Sequence, residues 1–191
     1  MTQYRPGRYL AVVQQHLAGR ALLCIDVSGS MDGAPLHAAI AGGLDFLVEA
    51  RDANYRCGLV LWNGRVVAHL PTTSPDSEVR KSLRGAHAGG GTNLAPALRA
   101  AVDELAPLTG DRVVCVFGDG DVGDAHAVAE LAKQARAAGI RFVVRGLGRG
   151  VADQLAELLT PLQHDEARSV SDVTNVRGAI ASMASALRAR R

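Results

Sequence analysis

The sequence predicts a three-layer α/β fold in which a doubly wound, mostly parallel sheet of six strands carries helices on both faces. Three observations carry that prediction. Short apolar runs alternate with segments whose apolar residues recur every three or four positions. The runs themselves are almost uninterrupted in apolar residues, as strands covered on both faces must be. The dipeptide Asn63-Gly64 separates two runs by only two residues, the signature of a tight hairpin, so one strand is expected to run antiparallel at a sheet edge.

In chain order, residues 1–18 read as an appended helical extension and 19–191 as one domain. Residues 21–25 form the first strand. Leu36, Ile40, Leu44 and Leu47 then mark a helix with Pro35 in its first turn, where a missing amide hydrogen costs nothing. Residues 55–61 and 65–70 flank the hairpin. Leu94, Leu98, Ala101, Val102 and Leu105 stripe a second helix that Thr92 or Asn93 can cap. After the strand at 112–117, a third helix runs through Ala125, Val128, Leu131, Ala132 and Ala135 to Gly139, a natural C-terminal residue. A strand at 141–145, a helix marked by Leu155, Leu158 and Leu159, a weaker strand at 167–170 and a helix over 173–187 complete the alternation. No repeat, low-complexity segment or linker divides the chain, and 191 residues suffice for one well-buried core.

Composition removes several function classes. With 48% hydrophobic and 21% charged residues the chain is an ordinary folded one. Its net charge is only +2, and the arginines from Arg141 to Arg191 are dispersed, so no nucleic-acid footprint is present. No apolar run reaches the ~18 residues of a membrane span, and the N-terminal apolar stretch is too short for a signal peptide. Cys24, Cys57 and Cys115, an odd set in apolar runs, read as small buried hydrophobes of a reducing compartment. A cytoplasmic protein is expected, and the alanine, glycine and arginine usage suggests a bacterial source.

Chemistry concentrates in three loops. Asp26, Ser28 and Ser30 alternate just after the first strand, with Gly29 to bend the backbone between them. Thr92 in GGGTNL and Asp119 in VFGDG reach the same carboxyl edge of the sheet, where ligands of such folds bind. Five oxygen-bearing side chains suit a hard divalent cation, which takes oxygen ligands and keeps water in its shell.

Asp26-Val27-Ser28-Gly29-Ser30, Thr92 and Asp119, in this order, resemble the metal-ion-dependent adhesion site of the von Willebrand factor type A domain, and the resemblance extends over residues 19–188. It implies that family's Rossmann-like fold and a bound Mg²⁺, with Mn²⁺ or Ca²⁺ as the other candidates. Ser28, Ser30 and Thr92 would bind through their hydroxyls, and Asp26 and Asp119 largely through water. The open coordination position would take an Asp or Glu of a partner protein. The resemblance further implies an adaptor or regulatory subunit rather than an enzyme, in complexes that often contain AAA+ ATPases. One departure stands out, because Gly118 precedes Asp119 where many relatives carry Thr. Asp121 and Asp124 add negative charge that either strengthens cation binding or repels an acidic partner.

Other readings compete. Gly118 to Gly123 spell G-x-G-x-x-G between a strand and a helix, a dinucleotide fingerprint, with Arg145 able to meet a 2′-phosphate. The acidic residue expected about 20 positions on is missing, and Asp119 and Asp121 would repel the pyrophosphate. Asp26 can also be read as the nucleophile of a metal-dependent phosphohydrolase. That chemistry needs a second acid or base nearby, whereas hydroxyls follow it and Asp32 suits a turn or cap. Each hydroxyl alone would suggest a helix cap, and Asp119 alone a turn; the five in order outweigh that. The histidines have no ligand spacing, although His87 can line the rim, and Trp62 reads as a half-buried anchor.

Overall fold

The computed structural model describes residues 18–119, 122–148, 155, 157–160 and 166–188. Its six strands are β1 (Gly19–Asp26), β2 (Tyr55–Trp62), β3 (Val66–Leu70), β4 (Arg112–Gly118), β5 (Ile140–Leu147) and β6 (Glu166–Val170). They lie in the order β3-β2-β1-β4-β5-β6, and only the β2–β3 pair is antiparallel. Five helices have described bounds: α1 (Ala34–Asp52), α2 (Asp76–Arg84), α3 (Ala95–Leu105), α4 (Ala125–Ala137) and α5 (Val176–Arg188). Residues 155 and 157–159, on the predicted Leu155 helix, are helical. The predicted extension lies, apart from Ala18, outside the described residues.

The pleat of β1 separates two cores. Ala21, Leu23 and Ile25 face one way, among residues of α1, α2 and α5; Leu22 and Cys24 face the other, among residues of α3 and α4. All five are fully buried, and each of the large aliphatic ones contributes about 1.5–3 kcal/mol of transfer free energy. Cys24 and Cys115 are buried and Cys57 is partly so, and none of the three is disulfide-bonded.

The sheet order places the site. From β1 the chain winds outward to β2, whereas from β4 it winds outward the other way to β5, so the order reverses between the adjacent strands β1 and β4. Their carboxyl ends, Asp26 and Gly118, flank the crevice that such a reversal leaves.

Two elements differ from the sequence expectation. Helix α2 was not foreseen, because only Val79 and Leu83 of its nine residues are apolar and buried. A carboxylate-rich first turn and the i,i+4 pair Asp76–Arg80 at 2.6 Å support it instead. The last helix opens with a 3₁₀ turn over Val173–Asn175, capped by Asp172, before α5 begins. No helix among the described residues is long and apolar enough to cross a membrane.

Candidate metal centre

At the end of β1 the chain bends through a side-chain turn. Asp26 Oδ1 accepts the Ser28 amide at 2.7 Å, and the Val27 amide donates to Trp62 O at 2.7 Å. A 3₁₀ turn over Gly29–Met31 follows, anchored by the fully buried Met31. This aims both serines the same way: their hydroxyls lie 3.1 Å apart, and Ser30 Oγ donates to Asp119 Oδ1 at 3.1 Å. Asp26, Ser28, Ser30 and Asp119 thus form one hydrogen-bonded chain across 93 residues of sequence separation between its ends.

The Thr92 loop is stitched to this arrangement by backbone. The Gly29 amide donates to Gly90 O at 3.1 Å and the Gly89 amide to Val27 O at 2.9 Å. The Asn93 amide donates to Asn63 O at 2.8 Å, and the Leu94 amide to Val122 O at 3.0 Å. The cap position of α3 falls on Leu94, without a side-chain cap bond, so neither Thr92 nor Asn93 caps the helix; Asn93 Oδ1 instead accepts the Ala95 amide at 3.1 Å in a side-chain turn that leads into it. Thr92 itself is partly buried.

Electrostatics single out Asp26. It has no exposed surface, and its Oδ2 is buried without a hydrogen-bond partner. Burial pushes its pKa up to about 6, a rise that the bonds from Ser28 and the Asp119 backbone amide oppose and the charge of Asp119 reinforces. An unpartnered buried carboxylate oxygen beside two serine hydroxyls and a second carboxylate is what a hard cation with a partial water shell requires. No cluster of three or more His, Cys, Asp or Glu exists among the described residues, so the donor set is rich in hydroxyls, as a Mg²⁺-class ion tolerates and a thiophilic metal does not. The residues fit the ion.

Sequence reasoning missed what lies beneath the loops. A Cβ on Gly118 would stand 3.3 Å from Asp26 Oδ2 and 3.3 Å from the Trp62 six-membered ring. Trp62 is buried, not half-buried, and it occupies the space a larger residue at 118 would take. The departure from Thr before Asp119 was the available signal.

Residues 120 and 121 of the glycine fingerprint, Asp121 among them, lie outside the described residues. Gly123, at φ +72°, packs against the Thr92 loop, a Cβ there falling 2.9 Å from Thr92 O. Asp124 caps α4 by accepting the Ala127 amide at 3.0 Å, so a carboxylate already sits where a pyrophosphate would bind. As a nucleophile, Asp26 would have to reach substrate from a position with no exposed surface.

A family model described as von Willebrand factor type A domain matches residues 21–121. Among solved structures, the vWF domain of the type V pili tip protein Mfa5 from Porphyromonas gingivalis has a TM-score of 0.73 at 14% identity, over 88% of this chain and 94% of that one. A von Willebrand factor type A protein from Catenulispora acidiphila has a TM-score of 0.71 at 16% identity, over 90% of this chain but only 43% of that one. The chain therefore spans less than half of that relative. Manganese-loaded Plasmodium vivax TRAP protein has a TM-score of 0.60 at 18% identity, over 86% and 72%. At such identities the likeness concerns the fold. No curated protein sequence matches the chain significantly.

Proposed function

The chain belongs to the von Willebrand factor type A domain family, and from that premise we propose that it is a binding module, not an enzyme, which captures an Asp or Glu of a partner protein through a divalent cation. Asp26, Ser28, Ser30, Thr92 and Asp119 would hold the ion. Mg²⁺ is the first candidate, with Mn²⁺ and Ca²⁺ behind it. The observation that carries this reading is the hydrogen-bonded chain from Asp26 to Asp119, with the unpartnered Asp26 Oδ2 at its buried end. When bound, the cation supplies an under-neutralised coordination position that attracts a carboxylate.

The chain's own residues prepare that position. Ser28 and Ser30 present neutral oxygens, which bind the ion without cancelling its charge. Asp26, fixed by the Ser28 amide, contributes its negative charge from below, and Asp119 orients the Ser30 hydroxyl. An adaptor role inside the cell, in assemblies of the AAA+ type, is the wider proposal. Its support is the placing of Cys24, Cys57 and Cys115 within strands of the sheet, as small apolar residues of a protein in a reducing compartment. A carboxylate with no exposed surface disfavours the phosphohydrolase alternative.

The test is calorimetric titration of chelator-treated protein with Mg²⁺, Mn²⁺ and Ca²⁺. About one ion per chain is expected, with binding lost in Asp26→Ala and weakened in Thr92→Ala. Equal uptake by wild type and Asp26→Ala would reject the site. Metal-dependent phosphatase turnover lost in Asp26→Ala would replace the binding module with an enzyme.

A further inference from the structure

Asn63 opens the hairpin turn, and its sequence signature accounts for the turn alone. The structure gives it four hydrogen bonds, two of which leave the hairpin. Within the turn, its amide donates to Arg65 O at 2.9 Å and its Oδ1 accepts the Arg65 amide at 3.1 Å. Outward, its Nδ2 donates to Gly89 O at 2.6 Å, and its carbonyl accepts the Asn93 amide at 2.8 Å. The donor at Arg65 and the acceptor at Gly89 fix which end of the side-chain amide is nitrogen. The outward bonds grip the second loop on both sides of Thr92.

The fit leaves little slack. Gly90 adopts φ +81°, and a Cβ there would stand 2.8 Å from Asn63 Nδ2, so this position demands glycine for both its bend and its lack of a side chain. Gly90 O in turn accepts the Gly29 amide at 3.1 Å, and the Gly89 amide donates to Val27 O at 2.9 Å. One side chain on the edge hairpin therefore fixes the loop of Thr92, and that loop is fastened to the one bearing Ser28 and Ser30.

From this geometry we infer that Asn63 is a positioning residue for the cation site, holding Thr92 in register with the two serines. The inference rests on the metal reading above. It is separable from a plain turn-forming role. Aspartate at 63 keeps the Oδ1 acceptor and the hairpin preference, but it turns the donor that faces Gly89 O into an acceptor.

Amide hydrogen exchange on chelator-treated protein, wild type against Asn63→Asp, tests the grip without any cation. The Gly29, Gly89 and Asn93 amides are expected to exchange about tenfold faster in the variant, the order of one lost hydrogen bond, while β1 is unchanged. Unaltered exchange at these three amides would overturn the inference. Mn²⁺ titration of Asn63→Ala, Thr92→Ala and the double variant tests the consequence. Asn63→Ala is expected to weaken binding about tenfold, and to add nothing in the Thr92→Ala background if it acts through Thr92. Undiminished affinity in Asn63→Ala, or full additivity in the double variant, would overturn it. A wild type that takes up no Mn²⁺ would remove the metal reading, and the exchange result alone would then decide whether Asn63 locks the loop.

Discussion

Asp26 sets a carboxylate where it has no exposed surface, and the consequence is a stability that depends on pH. Its pKa rises from 3.8 to about 6 on folding. The unfolded chain therefore loses its proton first as pH rises, so this group's contribution falls through the window from 3.8 to about 6. Above that window the penalty is roughly 3 kcal/mol in the absence of a cation. Asp26→Asn keeps the acceptor for the Ser28 amide and removes the charge. In chelator-treated protein the variant is expected to melt higher than wild type at pH 7.5, the gap closing as pH approaches 4, while cation uptake is lost. A variant melting below wild type at neutral pH would contradict this. Gly118 and Trp62 make a second residue-scale prediction. Gly118→Thr forces a side chain into the indole and is expected to cost about 1–3 kcal/mol in denaturant titration. Trp62→Phe, which lacks the ring atoms in the way, should recover part of that loss. These contacts explain what the sequence did and did not disclose. That Asp26, Ser28, Ser30 and Asp119 lie together was legible because the first three alternate just after an apolar run and the fourth ends another, at the same edge of the sheet. The Gly118–Trp62 contact and the outward bonds of Asn63 were not, because their partners are a ring, a backbone carbonyl and a backbone amide far along the chain, which leave no side-chain pattern.

At the scale of elements, α1 and α5 approach closely enough to forbid a methyl group. A Cβ on Gly42 would meet Arg177 O at 2.6 Å and Ile180 Cβ at 3.0 Å. Gly42→Ala gains helix propensity of about 1 kcal/mol but must push α5 away, at about 1–3 kcal/mol for overpacking. The expected net result is a lower midpoint of chemical denaturation, and an unchanged or raised midpoint would show that α5 can shift freely. Helix spacing was readable for α1, α3 and α4, whose apolar stripes face a sheet. Helix α2 is held by the charge pair Asp76–Arg80 and its buried pair Val79 and Leu83, too sparse for a periodic signal over nine residues. The hairpin was readable from Asn63-Gly64, and β3 indeed pairs antiparallel at the edge, with a register shift beside Trp62.

Across the whole molecule the two ends of the sheet divide the work. The carboxyl end holds the candidate site, and the opposite end is fastened by a partly buried ionic cluster. Arg141, nearly inaccessible, donates to Asp111 at 3.0 and 2.9 Å and to Ala186 O at 3.3 Å. Tyr55 OH donates to Asp111 Oδ2, also lies 3.2 Å from Leu187 O, and has its pKa pushed up to about 12, chiefly by burial and then by Asp111. Asp111→Ala leaves the Arg141 charge buried without that carboxylate. It is expected to lower stability by about 2–4 kcal/mol and to loosen the last turn of α5 in hydrogen exchange, without changing ion affinity. Equal loss of ion affinity would mean that the two ends are coupled. The most direct test of the central claim is anomalous diffraction at the manganese edge from Mn²⁺-soaked crystals of wild type and Asp26→Ala. One peak is expected in wild type, about 2.1 Å from the hydroxyl oxygens of Ser28 and Ser30 and beside Thr92, and none there in the variant. A wild-type peak elsewhere, or a peak at the serines that persists without Asp26, would contradict it.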